Sequence, residues 1–359
     1  MKTRLQTRNN HFLLIIITFI SLYGVIISLG LKSYDTVNEL RNALTVSLFK
    51  MLLGFIVVFI IKNFDYRNYL KYSPAFFLIS VVLSILAKVE GISISNRYLI
   101  IGAVQINPGI LLLFSTILLI CYIFSKTFSV IKIVIVCMVA CGVFMMIPYM
   151  SMAIVLVVIV FCFLIMTKPN YFATFFISMA TTMVLLIFSA PYRLQRIQEF
   201  INPFLDPQGS GWETVNSIYS IAAGGIFGMG FGATDVSNSI PTFGSTYILS
   251  GIALQFGIIG VVLLFLLYTV FILEIIKIAK NAVDESVFFI VAIIGIKFMV
   301  SILLQTSIAV NMLPAMSLDF MPFIEESSNN YLMDMLLVGI LLNISKQNSF
   351  IVAGENIND

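Results

Sequence analysis

Arg193 and Arg196 stand three residues apart, so a helix running through them carries both guanidiniums on one face. Two such planar forks suit a phosphate or pyrophosphate, whose oxygens they bind bidentately. Anchoring to lipid headgroups satisfies the same spacing, with the side chains snorkelling to the interface. The nearby acid, Asp206, opens Asp206-Pro207-Gln208-Gly209, with Asp at the first, Pro at the second and Gly at the fourth position of a type I turn. It reads as a turn-former rather than an acid catalyst, with Gly211 extending the corner and Trp212 following at interface depth. Further on, Gly225, Gly228, Gly230 and Gly232 form a GxxGxGxG series, but no strand precedes them and no βαβ unit surrounds them, so a re-entrant or surface helix packed closely is the expectation. Close approach of backbones explains them better than nucleotide binding. A second polar stretch, 314–329, holds Asp319, Glu325 and Glu326. His11 is the single histidine, which excludes a His-built metal site or a Ser-His-Asp triad. Cys121, Cys137, Cys141 and Cys162 lie in apolar runs without CxxC spacing and read as small buried hydrophobes, so no metal site is expected.

The elements that must position these groups are membrane helices. With 60% hydrophobic and 10% charged residues the chain departs far from a soluble domain, where about 25% are charged. A span needs about 20 mostly apolar residues. About ten runs qualify: Phe12–Leu31, Ala43–Ile61, Pro74–Ala87, Pro108–Phe124, Val130–Ile147, Tyr149–Met166, Tyr171–Ala190, Thr246–Leu273, Val287–Val310 and Asn330–Ile344. The first is too long for the apolar core of a cleaved signal and is taken as a span. The expected fold is an all-α integral membrane protein of about ten transmembrane helices. Residues 1–345 form one polytopic domain, with a large extracytoplasmic loop at 191–245 between spans seven and eight, and 346–359 form a cytoplasmic tail.

Ten spans put both termini on one side. Placed inside, the terminal side collects Lys2, Arg4, Arg8, Lys62, Arg67, Lys71, Lys126, Lys132, Lys168, Lys277, Lys280 and Lys346. The other side holds Lys32, Arg41, Lys88, Arg97, Arg193 and Arg196, a two-to-one bias that the positive-inside rule assigns to cytoplasmic termini. Two lysines, Lys50 and Lys297, fall within spans, where a charge is expensive and functional by default. Lys50 is near enough to an end to snorkel. Lys297 is not, and Asp334 is the nearest acid by kind to pair with it.

The stretch YRLQRIQEFINPFLDPQGSGW, followed by SIYSIAAGGIFGMGFG, resembles the large extracytoplasmic loop of the SEDS proteins, the FtsW/RodA/SpoVE family. Asn96-Arg97-Tyr98-Leu99 is similar to that family's motif before its fourth span. Met312-Leu313-Pro314 with Met321-Pro322-Phe323-Ile324 is similar to its "LLP…LPFIS", and Leu341-Leu342-Asn343-Ile344-Ser345 to its "LLNIS". The resemblance implies a bacterial plasma-membrane protein of peptidoglycan assembly. Its family polymerises glycan from lipid II, the undecaprenyl-pyrophosphate-linked precursor, beside a class B penicillin-binding protein. Arg193, Arg196 and Arg97 would then lie near the pyrophosphate. No cofactor is expected beyond a divalent cation travelling with that pyrophosphate, and no nucleic-acid surface.

Several matched positions depart from the family pattern. Its catalytic aspartate falls on Thr246, and a threonine hydroxyl is un-ionised at pH 7 and cannot serve as a base unaided. The Glu and Lys of its "QPSExxK" fall on Ile110 and Leu113, the Asp of its "PDLG" on Tyr149, and its "EELG" on Leu254-Gln255-Phe256-Gly257. Together these losses suggest a polar cavity taken out of use. The reading adopted is a lipid II-binding scaffold or regulator with impaired polymerase activity. An active glycosyltransferase, with Glu325 or Glu326 as substitute carboxylate, and a transporter or flippase of lipid-linked precursors stand as alternatives.

Overall fold

In the computed structural model the described residues are 2–355, apart from 33, 35, 89–92, 95–97, 102–103, 127–128, 148, 168, 172, 174, 178–199, 210, 233–243, 316–320 and 325. The fold is all-α. Ten α-helices are described: α1 (Lys2–Gly30), α2 (Val37–Asn63), α3 (Tyr66–Leu86), α4 (Pro108–Lys126), α5 (Val130–Met146), α6 (Met150–Thr167), α7 (Trp212–Gly224), α8 (Ile248–Lys280), α9 (Glu285–Ala309) and α10 (Ser328–Glu355). Six of them are long and apolar enough to cross a membrane: Phe12–Gly30 within α1, then α2, α3, α4, α8 and α9. Val130–Met146 and Ser151–Met166 are shorter apolar helices. Most of the seventh run predicted from sequence, and the arginine pair after it, lie outside the described residues. The last helix runs to Glu355, well into the segment read from sequence as a tail.

Local chemistry sets the helix ends. Thr36 caps α2 by accepting from Glu39 N at 3.3 Å, and the Thr-x-x-Glu spacing is that of a capping box. Asp65 caps α3 through Arg67 N at 3.0 Å, and Ser129 caps α5 through Lys132 N at 3.5 Å. Pro74 lies inside α3 and cannot bond back to the carbonyl of Leu70, which accepts instead from Ser73 Oγ at 2.7 Å. Asn343, from the Leu341–Ser345 motif, is buried against the α2–α3 turn. Its Nδ2 donates to Lys62 O at 2.8 Å and its Oδ1 accepts from Tyr66 N at 3.1 Å. One amide thus serves a carbonyl at the end of α2 and an N–H at the start of α3, groups that helix ends leave unbonded.

A small antiparallel meander, β1 (Ser93–Ile94), β2 (Tyr98–Ile101) and β3 (Val104–Ile106), precedes α4. It pairs Ile94 with Tyr98 and Leu99 with Ile106. The sequence gives no hint of it. Strands of two to four residues are too short for an alternation of apolar and polar side chains to be read. Strand β3 leads directly into α4, where Asn107 accepts from Gly109 N at 3.1 Å and Ile110 N at 3.4 Å.

The glycine series finds its partner in α8. That helix breaks at Gly257 (φ 64°, ψ −164°), leaving backbone groups on either side without a helical partner. The segment after α7 takes them. Met229 N donates to Leu254 O at 2.8 Å and Gly230 N to Gln255 O at 3.1 Å. Ile258 N and Ile259 N donate to Gly225 O and Ile226 O at 3.0 and 3.3 Å. The glycine segment approaches α8 as irregular chain, not as the re-entrant or surface helix that the sequence reading expects. Gly225, Gly228, Gly230 and Gly232 all have positive φ. A Cβ on Gly228 would stand 2.1 Å from Gln255 O, and one on Gly257 2.3 Å from Ile226 O. At Asp206 the chain turns: Gly209 N donates to Asp206 O at 3.3 Å, and Gly209 packs against the Asp206 carboxylate.

Candidate functional site

Two polar constellations stand out among the described residues. The first gathers where α1 ends, α2 begins, α8 begins and α10 begins. Glu326 forms an ion pair with Lys32, both half exposed, and its backbone carbonyl accepts from Lys50 Nζ at 3.5 Å. Lys50 also lies over the Tyr331 ring, 5.2 Å from its centroid, and Tyr331 Oη hydrogen-bonds Ser21 Oγ at 3.1 Å. A small cleft of about 10 Å³ is lined by Ser21, Ser28, Ser47, Lys50 and Tyr331 with apolar neighbours. Burial pushes the Tyr34 phenol above its ordinary pKa, with Lys32 lowering it and Glu326 raising it further.

Gly244 sits against the Glu326 carboxylate: a Cβ there would stand 2.2 Å from Oε2. Two residues later comes Thr246, 6% exposed. Its backbone is held firmly. Gln305 of α9 donates through Nε2 to both Ser245 O and Thr246 O at 2.8 Å. Tyr247 Oη and Thr214 Oγ1 lie 2.9 Å apart, and Ser217 Oγ bonds Ser250 Oγ at 2.6 Å and Ala309 O at 2.9 Å, tying α7 to α8 and α9. So the position matched to the catalytic aspartate is rigidly presented, two residues after a glycine that touches an acid, but its side chain carries no charge.

Of the residues singled out from sequence, the structure brings Glu326 and the Thr246 segment together. Arg97, Arg193, Arg196 and Glu325 lie outside the described residues. Lys32, Gln305 and the Ser217–Ser250 contact were missed. Gln305 left one signal, a polar amide inside an apolar helix, which membrane burial makes costly without a purpose. Lys32 looked like an ordinary flanking charge.

The second constellation is deeper. Lys297 of α9 and Asp334 of α10, the acid that the sequence offers as nearest by kind, form a buried ion pair, with side chains 7% and 3% exposed. Lys297 also lies over the Phe298 ring at 4.6 Å. The pair faces a narrow crevice of about 20 Å³, also lined by Ile110, Leu113, Phe114 and Ile117 of α4 and by Asn330. Ile110 and Leu113 are the positions matched to the Glu and Lys of "QPSExxK". The crevice is therefore not stripped of charge, as the losses along α4 suggested: an ion pair from two other helices faces it. Tyr149, at the "PDLG" position, is buried against Gly109 nearby, where a Cβ would stand 2.8 Å from its ring. Gln255 is buried with neither amide atom hydrogen-bonded among the described residues. No group of three or more His, Cys, Asp or Glu side chains among the described residues could hold a metal ion.

Comparison with known proteins fits this arrangement. The chain is 25% identical over 352 residues to the probable peptidoglycan glycosyltransferase FtsW of Trichlorobacter lovleyi, covering 93% of this chain and 92% of that protein. It is 26% identical over 313 residues to the stage V sporulation protein E of Bacillus subtilis, covering 83% and 85%. A chain from a peptidoglycan synthase complex that coordinates polymerization and crosslinking superposes with a TM-score of 0.75 at 16% identity, covering 94% of this chain and 97% of that one. The rod shape determining protein RodA of Thermus thermophilus superposes at 0.66 with 13% identity, covering 94% and 96%. The profile of the FtsW/RodA/SpoVE family, described as cell cycle protein, matches residues 9–350. With nearly the whole chain matched and the same helical fold behind it, this membrane protein belongs to the FtsW/RodA/SpoVE family.

Proposed function

We propose that the chain serves peptidoglycan assembly at the bacterial plasma membrane, with both termini cytoplasmic, as a lipid II-binding scaffold or regulator whose polymerase activity is impaired. The names of its relatives support the pathway, and the synthase complex among its structural neighbours supports a class B penicillin-binding protein as partner. In this reading Arg97, Arg193 and Arg196 attract the pyrophosphate of the precursor. The observation that carries the impairment is Thr246, buried and held by Gln305 where a carboxylate base would be needed. A hydroxyl there can orient a sugar oxygen but cannot take its proton at neutral pH.

An active polymerase is the second reading, favoured by the contact of Glu326 with Gly244, two residues from Thr246. Its ion pair with Lys32 argues against it, since the carboxylate is already engaged by an ammonium rather than free to meet a sugar hydroxyl. The deciding measurement gives labelled lipid II to the purified full chain, alone and with a candidate transpeptidase, and follows glycan polymer on gels. The wild type is expected to yield little polymer. Thr246→Asp is expected to raise the yield on the order of 100-fold, the lower range for a positioned general base. Polymer from the wild type that vanishes in Glu326→Ala would overturn the impaired reading in favour of the second.

A further inference from the structure

Every residue of α8 from 248 to 255 is buried, and the exposed face of that helix begins only past its break, with Ile258, Ile259, Val262, Leu263 and Leu266. Lower α8 is apolar enough to cross a membrane, so this face is its lipid side. The same apolar surface continues into the glycine segment, across the bonds from Ile258 N to Gly225 O and from Ile259 N to Ile226 O. There Ile226, Phe227, Met229 and Phe231 are between 57% and 80% exposed. No charged residue stands between Glu213 and Asp235. Facing water, four such side chains would make an apolar patch of the kind that folded proteins rarely leave uncovered.

Two markers put the segment at the edge of the hydrocarbon core. Lys277, half exposed, marks the charged end of α8. Gly257 lies about 20 residues before it, or about 30 Å along a helix, which is the thickness of that core. Independently, the apolar span of α1 ends at Gly30, where a Cβ would stand 2.9 Å from the Phe231 ring. Irregular backbone is tolerated at lipid depth only where protein satisfies it. The break in α8 does this: Met229 N and Gly230 N donate to its carbonyls, and the carbonyls of Gly225 and Ile226 accept from its amides, while Gly228 N donates back to Gly224 O at 2.7 Å. We infer that segment 226–231 is inserted in the bilayer leaflet on the Thr246 side. Its four large side chains lie among the acyl chains just below the headgroups, and the end of α7 is pinned to the membrane surface. Apolar burial drives the insertion, and an uncharged segment is indifferent to the charge of the headgroups. The inference is independent of whether the Thr246 region turns over substrate.

Trp212 is the single tryptophan, so one relocated indole can report depth. The test reconstitutes the full chain carrying Trp212→Phe and Phe227→Trp in phosphatidylcholine bilayers, with and without bromine near the top of the acyl chains. Bromolipid is expected to remove roughly half or more of the emission and aqueous acrylamide to remove little, as befits a side chain about 5–10 Å below the surface. Replacing part of the phosphatidylcholine by phosphatidylglycerol should change neither result. Met229→Trp with Trp212→Phe is the second reporter, with the same expectation should the first variant fail to fold. Val37→Trp with Trp212→Phe is the reference in water, at the start of α2 among exposed Asn38, Glu39 and Arg41, and should respond to acrylamide alone. Quenching of the indole at 227 by acrylamide and not by bromolipid would put the segment in water and overturn the inference. Protection from both quenchers would mean that a second copy or a partner's helix covers it, which overturns the inference equally. So would equal quenching by bromolipid at 37 and 227, since nearness to the surface would then suffice.

Discussion

Removing either Asp334 or Lys297 alone is expected to destabilise the protein by about 3–5 kcal/mol, the range found when one partner of a buried ion pair is deleted. The charge that remains sits inside a helix bundle, where neither water nor another acid or base among the crevice-lining residues can compensate it. Lys297→Ala leaves Asp334, both of whose oxygens would then lack a donor. Asp334→Ala leaves an ammonium with only the Phe298 ring beside it. The double variant Lys297→Met/Asp334→Leu should behave differently. Each replacement roughly keeps the shape of the residue it removes, no buried charge remains, and the stability should return to within about 1 kcal/mol of wild type or exceed it. Thermal unfolding in detergent, followed by the loss of soluble monomer, separates the cases. Single variants that melt with the wild type would mean that water reaches the pair freely.

This pair is also where the sequence was most informative. A lysine near the middle of an apolar run has no solvent to reach by snorkelling, which marks it as functional by default, and Asp334 was the nearest acid by kind. The apolar runs placed α4, α5, α6 and α9 to within two residues at each end, because a span's composition is dictated by the lipid around it. Helices α1, α3, α8 and α10 each reach seven or more residues past their runs at one end. What the runs could not give was backbone conformation. The break at Gly257 lies inside an unbroken apolar stretch and leaves no trace in hydropathy. The glycines that fill it read as a packing surface without revealing what they pack on. Contacts between distant polar residues were equally silent. Glu326 meets Lys32 across 294 positions and Asn343 caps a turn 277 positions away, and nothing in either local sequence points to the other. Glu326 was considered as an isolated acid; its neighbours, Lys32 and the Gly244–Thr246 segment, are what make it a candidate.

The second large effect is expected at Gly228. Two different penalties meet there: its φ of 82° disfavours any side chain, and a Cβ would stand 2.1 Å from the carbonyl oxygen of Gln255. Backbone cannot yield as a flexible side chain does, so Gly228→Ala must push the segment off α8 and break the bonds from Met229 N to Leu254 O and from Gly230 N to Gln255 O. At about 1 kcal/mol for each net hydrogen bond, with the freed groups left beside the break in α8, the loss amounts to about 3 kcal/mol or more. Gly232 provides the control. It has a similar φ of 78° but open space around its Cβ position, so Gly232→Ala carries the conformational penalty alone, about 1–2 kcal/mol. Hydrogen exchange read by mass spectrometry should show peptides spanning Met229–Gly230 and Gly257–Ile259 losing protection together in Gly228→Ala and keeping it in Gly232→Ala. Equal protection in the two variants would mean that the glycine segment rests against the break in α8 without closing it. The rigid presentation of Thr246, in the turn just before α8 and eleven residues before Gly257, would then rest on Gln305 and α7 alone.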